Sequence, residues 1–278
     1  MSRTLLIDMG NQRLKWAMLD IFPGQSVVEL LSGLEKCNGV MGIADSADTK
    51  FQPSRFEEVV QHAGIPATVF VSCVSAQQAW EEFDQLSFDS WNIRPVRVNS
   101  DATRIGLANQ YANPTQLGSD RWLAAIAGYQ LVCKERNKQA VIVIDAGTAV
   151  TVDLVDAHQF KGGSILPGVA MMIKALGNST GMIDIDIAAL SQHVEELRDL
   201  DLVAVNSDAA VRAGALASVA GGVERCLRQM QQVCGGSVDA LITGGDAKLV
   251  TSMIDYPCEI IPRLVLAGLA LIAMGELE

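Results

Sequence analysis

The sequence is short of cations, of paired cysteines and of long apolar runs. Lys and Arg number 21 against 32 Asp and Glu, a formal net charge of −11. A nucleic-acid surface needs clustered Lys and Arg to displace phosphate counterions, so that class is excluded. The longest apolar stretch, Leu264 to Met274, falls well short of the roughly 20 residues a spanning helix requires. It is apolar on every face, which predicts a buried helix and no membrane association. The six cysteines form no CxxC pair, and the three histidines lie far apart. That excludes a zinc site of the usual spacing and fits buried, reduced thiols better than a disulfide scaffold. Arg3 leads straight into a strand-like segment without the pattern of a signal peptide, and a soluble, cytoplasmic protein is expected. Neither a P-loop nor a GxGxxG run is present, so any nucleotide is held by other means.

What is present is one small pattern, twice. Leu5-Leu6-Ile7-Asp8-Met9-Gly10-Asn11 and Val143-Ile144-Asp145-Ala146-Gly147-Thr148 each set an apolar run directly before Asp-x-Gly-[Asn/Thr]. The run reads as a buried strand and Asp-x-Gly as a turn. A second strand follows each, Arg13 to Leu19 and Ala149 to Val155, making two β-hairpins with a carboxylate at each tip. A Gly-bearing tip offers backbone N–H groups to an anion, and its Asp offers oxygen to a cation. Matched flanks about half the chain apart point to a duplicated domain, with two tips that would clamp a metal-bound polyphosphate. An acidic protein that binds an anionic nucleotide must concentrate its few cations there, and Lys15, Arg121 and Lys174 are the candidates.

With 278 residues, 49% hydrophobic and 19% charged, the chain has the composition of one large or two modest globular domains. Residues 20–50 read as short strands and turns. Pro53 to Ala63 and Ser75 to Leu86 read as helices, Ala67 to Val74 and Pro95 to Val98 as strands, giving an α/β pattern. The Asn-, Pro- and Gly-bearing stretch Ala108 to Gly118 is the expected boundary between domains 1–118 and 119–278. Beyond it, Ser119 is expected to cap a helix with a half-buried face formed by Trp122, Leu123, Ile126 and Leu131. Ser207 is expected to cap a long helix with apolar residues at 211, 215, 219, 223, 227 and 230, ending at Gly235-Gly236. Ala240 to Asp246 reads as a strand entering a glycine turn.

The two hairpins and this late Gly-Gly-Asp turn resemble the phosphate-1, phosphate-2 and adenosine elements of the sugar kinase/Hsp70/actin superfamily. Within it, the chain resembles the type III pantothenate kinases, which start coenzyme A synthesis. Tyr111-Ala112-Asn113-Pro114-Thr115-Gln116-Leu117-Gly118-Ser119-Asp120-Arg121-Trp122 matches the family's Y-x-x-P-x-x-L-G-x-D-R-W signature at every fixed position. Asp8 to Trp16, Asp145 to Thr151 with Gly162 to Gly168, and Thr243 to Asp246 resemble its other motifs, in the expected order. The resemblance implies two actin-like, ribonuclease H-like α/β domains, each a mixed sheet flanked by helices, with a cleft between them. It implies phosphorylation of pantothenate by MgATP in a homodimer. Asp8, Gly10, Asn11, Gln12, Lys15, Thr148, Gly244 and Gly245 would bind ATP, with Asp8 also oriented toward Mg²⁺, directly or through water. Asp120 would be the general base. Tyr111, Gly118, Ser119, Asp120, Arg121 and Ser207 would contact pantothenate, and Asp145 would hold an activating K⁺ or NH₄⁺.

One position departs from the pattern: the family usually has Thr or Ser after Gly-Asn, where this chain has Gln12. A non-catalytic accessory member of the family and another superfamily kinase or phosphatase are the alternatives. The intact Asp8, Asp120, Arg121 and Asp145 oppose the first, and the Tyr111 to Trp122 segment opposes the second.

Overall fold

A computed structural model describes residues 2–10, 13–36, 39–42, 65–180 and 202–276. The chain divides into two compact units, Met1–Leu131 with Arg263–Glu278, and Val132–Pro262. The first holds β1 (Ser2–Met9), β2 (Arg13–Ile21), α1 (Val27–Lys36), β3 (Gly39–Gly42), β4 (Thr68–Cys73), α2 (Gln77–Trp91), β5 (Val96–Val98), the short β6 (Thr103–Arg104) and β7 (Leu107–Asn109), and α3 (Ser119–Gly128). The second holds β8 (Ala140–Ala146), β9 (Ala149–Asp156), β10 (Gln159–Pro167), α4 (Val169–Thr180), α5 (Ser207–Cys234), β11 (Asp239–Thr243), α6 (Ala247–Met253) and β12 (Cys258–Ile260). The last helix, α7 (Leu264–Gly275), returns to the first unit.

The duplication is present strand for strand. The first unit runs β3-β2-β1-β4-β5 and the second β10-β9-β8-β11-β12. In each, the opening hairpin is antiparallel, its second strand takes a third antiparallel partner, and its first strand is flanked by a parallel pair. Alternation along each strand decides which face is which. Leu5, Ile7 and Met9 of β1, with Val69, Val71 and Cys73 of β4, pack on Ala79, Phe83 and Trp91 of α2. Asp8 and Ser72 therefore face the other way. In the second unit Ile142, Ile144 and Ala146 pack toward α4, α5 and α6, which turns Asp145 to the opposite face.

Several sequence expectations hold. The stripe on α5 is buried at Ala215, Val219, Val223 and Leu227, with Val211 and Met230 packed beside it. Gly235 closes that helix at φ 72°, and the Gly236 N–H donates to the Gln231 carbonyl at 3.2 Å. Residues 264–273 of α7 are buried throughout.

Others need correction. Val27–Lys36 is a helix, where short strands and turns were expected. A reciprocal capping box opens it: the Glu29 N–H donates to Ser26 Oγ at 3.1 Å and the Ser26 N–H to Glu29 Oε2 at 2.8 Å. The Ser26-x-x-Glu29 spacing carried that signal, masked by the β-branched Val27-Val28 pair. Helix α3 is buried almost all round, because α7 packs against it. At that crossing a Cβ on Gly268 would lie 2.2 Å from the Leu123 carbonyl oxygen, so only glycine permits the approach. The expected loop 108–118 contains the end of β7 and a 3₁₀ turn at Pro114–Gln116. The expected boundary at 118/119 also differs from the observed division, which keeps α3 and α7 with the first unit. The helix expected at 53–63 lies outside the described residues.

Candidate active site

In the first hairpin Asp8 and Lys15 are directly opposed across β1 and β2. Lys15 Nζ lies 3.6 Å from Asp8 Oδ2, and the Asp8 carboxylate is buried. Burying a carboxylate is costly unless a cation accompanies it, and Lys15 supplies one. Because β2 pairs with both β1 and β3, Lys15 is not on an edge strand. The tip is anchored from the loop after β4. The Val74 N–H donates to the Met9 carbonyl at 3.2 Å, and the Ser75 hydroxyl donates to the Gly10 carbonyl at 2.8 Å. Neither contact was legible as a pattern in sequence. Asn11 and Gln12 lie outside the described residues.

Helix α3 begins beside β4, the parallel neighbour of β1. Its N-cap is Gly118, which has no side chain to cap with. Ser119, expected to cap the helix, is instead its first helical residue, and its buried hydroxyl meets that of Ser72 at 2.9 Å. Asp120 follows in the first turn, where the helix dipole favours an ionised carboxylate. Its Oδ1 accepts the Arg121 N–H at 2.8 Å. A Cβ on Gly118 would lie 2.5 Å from that same oxygen, so the glycine makes room for the carboxylate. Arg121, only 8% exposed, donates from Nη1 to the Tyr111 hydroxyl at 3.0 Å, and its guanidinium lies 5.9 Å from that ring's centroid. Tyr111 is held in turn by the side chain of Asn109, which accepts its N–H at 3.0 Å.

A pocket of about 470 Å³ opens beside these residues, lined by Ser75, Arg97, Asn99, Gln116 and Gly118 among others, and its described lining contains no carboxylate. Arg97 was missed in sequence. It donates to the Gln77 side chain at 2.9 Å and lies 5.2 Å from the centroid of the Trp80 ring. Burial pushes the nearby Cys73 thiol up, against the lowering effects of the Ser75 backbone and Arg97. A larger cavity, about 770 Å³, lies near the starts of β11 and β12 and contains none of the motif residues.

The second hairpin repeats the construction of the first. Asp8 is registered beside Ser72 on its parallel neighbour, and Asp145 beside Thr243 on its own. The residue after each Asp is tied to the loop beyond that neighbour: the Asp246 N–H donates to the Ala146 carbonyl at 2.9 Å, as Val74 does to Met9. Gly244 has φ 99°, and a Cβ there would lie 2.3 Å from the Ala146 oxygen and 2.6 Å from Asp145 Oδ1. Its lack of a side chain is thus needed by the hairpin itself, whatever it contributes to nucleotide. Gly245 is exposed, and Thr148 is half-buried with its carbonyl accepting the Gly168 N–H at 3.0 Å. Asp153 on β9 is a buried carboxylate not singled out in sequence, and a Cβ on its partner Gly163 would lie 2.1 Å from Asp153 Oδ1. An acidic residue inside the apolar run Val152 to Val155 was its signal.

The family model described as type III pantothenate kinase matches residues 4–229. The chain belongs to the type III pantothenate kinase family. The type III pantothenate kinase of Paracidovorax citrulli is 32% identical over 271 residues, covering 97% of each chain. That of Verminephrobacter eiseniae is 32% identical over 274 residues, covering 98% of each. Among solved structures, a protein described as a conserved Baf family transcriptional activator from Campylobacter jejuni matches with TM-score 0.55 at 16% identity, covering 98% of each chain. An activator of 2-hydroxyisocaproyl-CoA dehydratase from Clostridium difficile, with bound ADPNP, matches with TM-score 0.53 at 15% identity, covering 99% of this chain and 95% of that one. These likenesses establish the actin-like, sugar-kinase fold of this pantothenate kinase.

Two remaining candidates of the kinase lie in the second unit. Ser207 was expected to cap α5, but the cap is Asn206, whose side chain accepts the Ala209 N–H at 2.9 Å. Ser207 is therefore the first helical residue, with an exposed side chain. Lys174 is exposed on α4. Among the described residues no group of three or more His, Cys, Asp or Glu is arranged to hold a metal ion, and no helix is long and apolar enough to cross a membrane.

Proposed function

We propose that this pantothenate kinase uses Asp120 as the general base and the Asp8–Lys15 hairpin as its phosphate site. Asp120 accepts the proton of the primary hydroxyl of pantothenate as that oxygen attacks the γ-phosphorus of ATP; the bond to ADP breaks, leaving 4′-phosphopantothenate. The observation that carries the reading is the placement of Asp120 at the start of α3, beside the strand paired with Asp8. Phosphoryl transfer passes through a loose transition state, so positioning and charge neutralisation supply most of the catalysis. Lys15 and the amides near Gly10 suit the phosphates, with Asn11 and Gln12 assigned there by the motif. Arg121 offers the pantothenate carboxylate a planar fork, pre-oriented by Tyr111, with Gly118 and Ser119 beside it, and Ser207 is assigned to pantothenate by its motif.

Two ions complete the proposal. Asp8 would hold Mg²⁺, directly or through water, and the ion would neutralise phosphate charge. Asp145 holds K⁺ or NH₄⁺, with Thr148, Gly244 and Gly245 beside the nucleotide. We further propose a cytoplasmic homodimer. A coupled ADP-release assay with ATP, Mg²⁺ and pantothenate tests the whole, run in K⁺ and then in Na⁺. Turnover that needs pantothenate and falls at least tenfold in Na⁺ is expected. ADP release without dependence on pantothenate overturns the assignment of the acceptor, and equal rates in the two salts overturn that of Asp145.

A further inference from the structure

We propose that the Ser72–Ser119 hydroxyl pair is a positioning device, which sets Asp120 against the phosphate hairpin. The proposal rests on Asp120 acting as the base. Ser72 is wholly buried near the end of β4, and its register partner on β1 is Asp8. Ser119 is the residue before Asp120 and is 6% exposed. The two oxygens lie 2.9 Å apart, so one hydroxyl donates to the other.

A serine in the first turn of a helix usually turns its hydroxyl to solvent or to an orphan N–H, the inexpensive choices. Here the first serves neither purpose. Gly118 is the cap and provides no side-chain bond, while Ser119 points inward and bonds another strand. A buried hydroxyl is left costly to desolvate unless partnered, so each serine makes sense only in the presence of the other. The bond constrains what apolar packing does not. Helix α3 is buried on nearly all sides; apolar contacts are non-directional, whereas a hydroxyl–hydroxyl bond fixes both a distance and an angle. Beyond Gly128 the helix continues in π-type turns, Tyr129–Glu135. The Ser72–Ser119 bond is a directional tether at the near end, one residue from the carboxylate. Through the β1–β4 ladder it refers Asp120 to Asp8. A misplacement of about 1 Å can cost on the order of 10²-fold in rate, which makes such a tether useful.

The test compares Ser72→Ala, Ser119→Ala, the double variant and Ser119→Thr, each in the wild-type and Asp120→Asn backgrounds. The double variant leaves no hydroxyl unpartnered and is the one least prone to misfold. Expected are kcat losses of about tenfold in each single Ala variant, about the same loss in the double variant, an unchanged KM for ATP, and recovery in Ser119→Thr. In Asp120→Asn, whose residual turnover is read with stoichiometric enzyme, the Ala changes are expected to add less than twofold. Full kcat in the double variant overturns the proposal. So does an undiminished tenfold loss in the Asp120→Asn background, since that result assigns the serines a structural role. Near-normal turnover of Asp120→Asn alone overturns the general-base reading instead, and the two failures are thereby distinguished.

Discussion

At the scale of single residues the proposed chemistry rests on Asp120, a carboxylate that has room made for it by Gly118. Asp120→Asn is nearly isosteric and keeps the contacts of the first turn while removing proton acceptance. Its kcat should fall by about 10² to 10⁴, with an unchanged circular dichroism spectrum; near-normal turnover removes Asp120 from the mechanism. Gly118→Ala is a separate probe of the same group. The added methyl would sit 2.5 Å from Asp120 Oδ1, and because Asp is short the carboxylate itself must move. A loss of about 10- to 100-fold in kcat is expected, and wild-type kinetics in this variant would show that Asp120 relocates without consequence. Sequence alone marked Asp120, Arg121 and Gly118 through one motif. It did not mark Ser72, Ser75 or Arg97, because a serine or arginine near the end of a strand has no periodic or spacing signature that distinguishes a site contact from a solvated side chain.

At the scale of elements, hairpin tips and helix ends hold most of the candidate site residues. Gly244 sits at φ 99° with its α-carbon pressed against the second hairpin. Gly244→Ala should destabilise by roughly 1–3 kcal/mol from the backbone conformation alone, and steric conflict with Ala146 adds to that. A urea midpoint equal to wild type would mean that the turn rearranges freely. The capping box of α1 yields a milder expectation. Ser26→Ala removes the acceptor for the Glu29 N–H and should cost about 1 kcal/mol, read as a lower midpoint with unchanged pantothenate kinase activity. Strands and helices were legible where one face repeats cleanly, as on α5 and in both hairpins. Around α1 two β-branched residues imitated a strand, and the capping spacing was the better guide.

At the scale of the molecule, the free thiols set an alkaline limit. Burial pushes Cys133 and Cys258 up to about 11 from 9.0. Between those values the folded protein retains protons that the unfolded chain has released, so stability is fully present below pH 9 and falls as pH rises toward 11. Thermal unfolding at pH 8 and pH 10.5 should show this fall, and Cys133→Ala with Cys258→Ala should lessen it. An unaltered pH slope in that double variant assigns the lability to other groups. The proposed homodimer is a question of the same scale. Gly222 on α5 faces Leu166 of the same unit, where a Cβ would meet the leucine at 3.1 Å. Ile165 and Met171, both exposed on the second unit, are candidates for the contact. Light scattering at micromolar concentration should report about twice the mass of 29.7 kDa, and a monomer would refute the dimer.

The order of the motifs, the two carboxylate hairpins, the amphipathic α5 and the buried final helix were determined by sequence itself, because apolar periodicity and turn chemistry are local properties. Tertiary structure decided which surfaces those local elements meet. A helix apolar all round announces burial without naming its neighbour, so the return of α7 to the first unit and its crossing of α3 at Gly268 emerge only in the fold. The same holds for the contact of Ser72 with Ser119. A hydroxyl's preference among solvent, its own backbone and a distant strand depends on desolvation, and desolvation is set by packing around residues far apart in the chain.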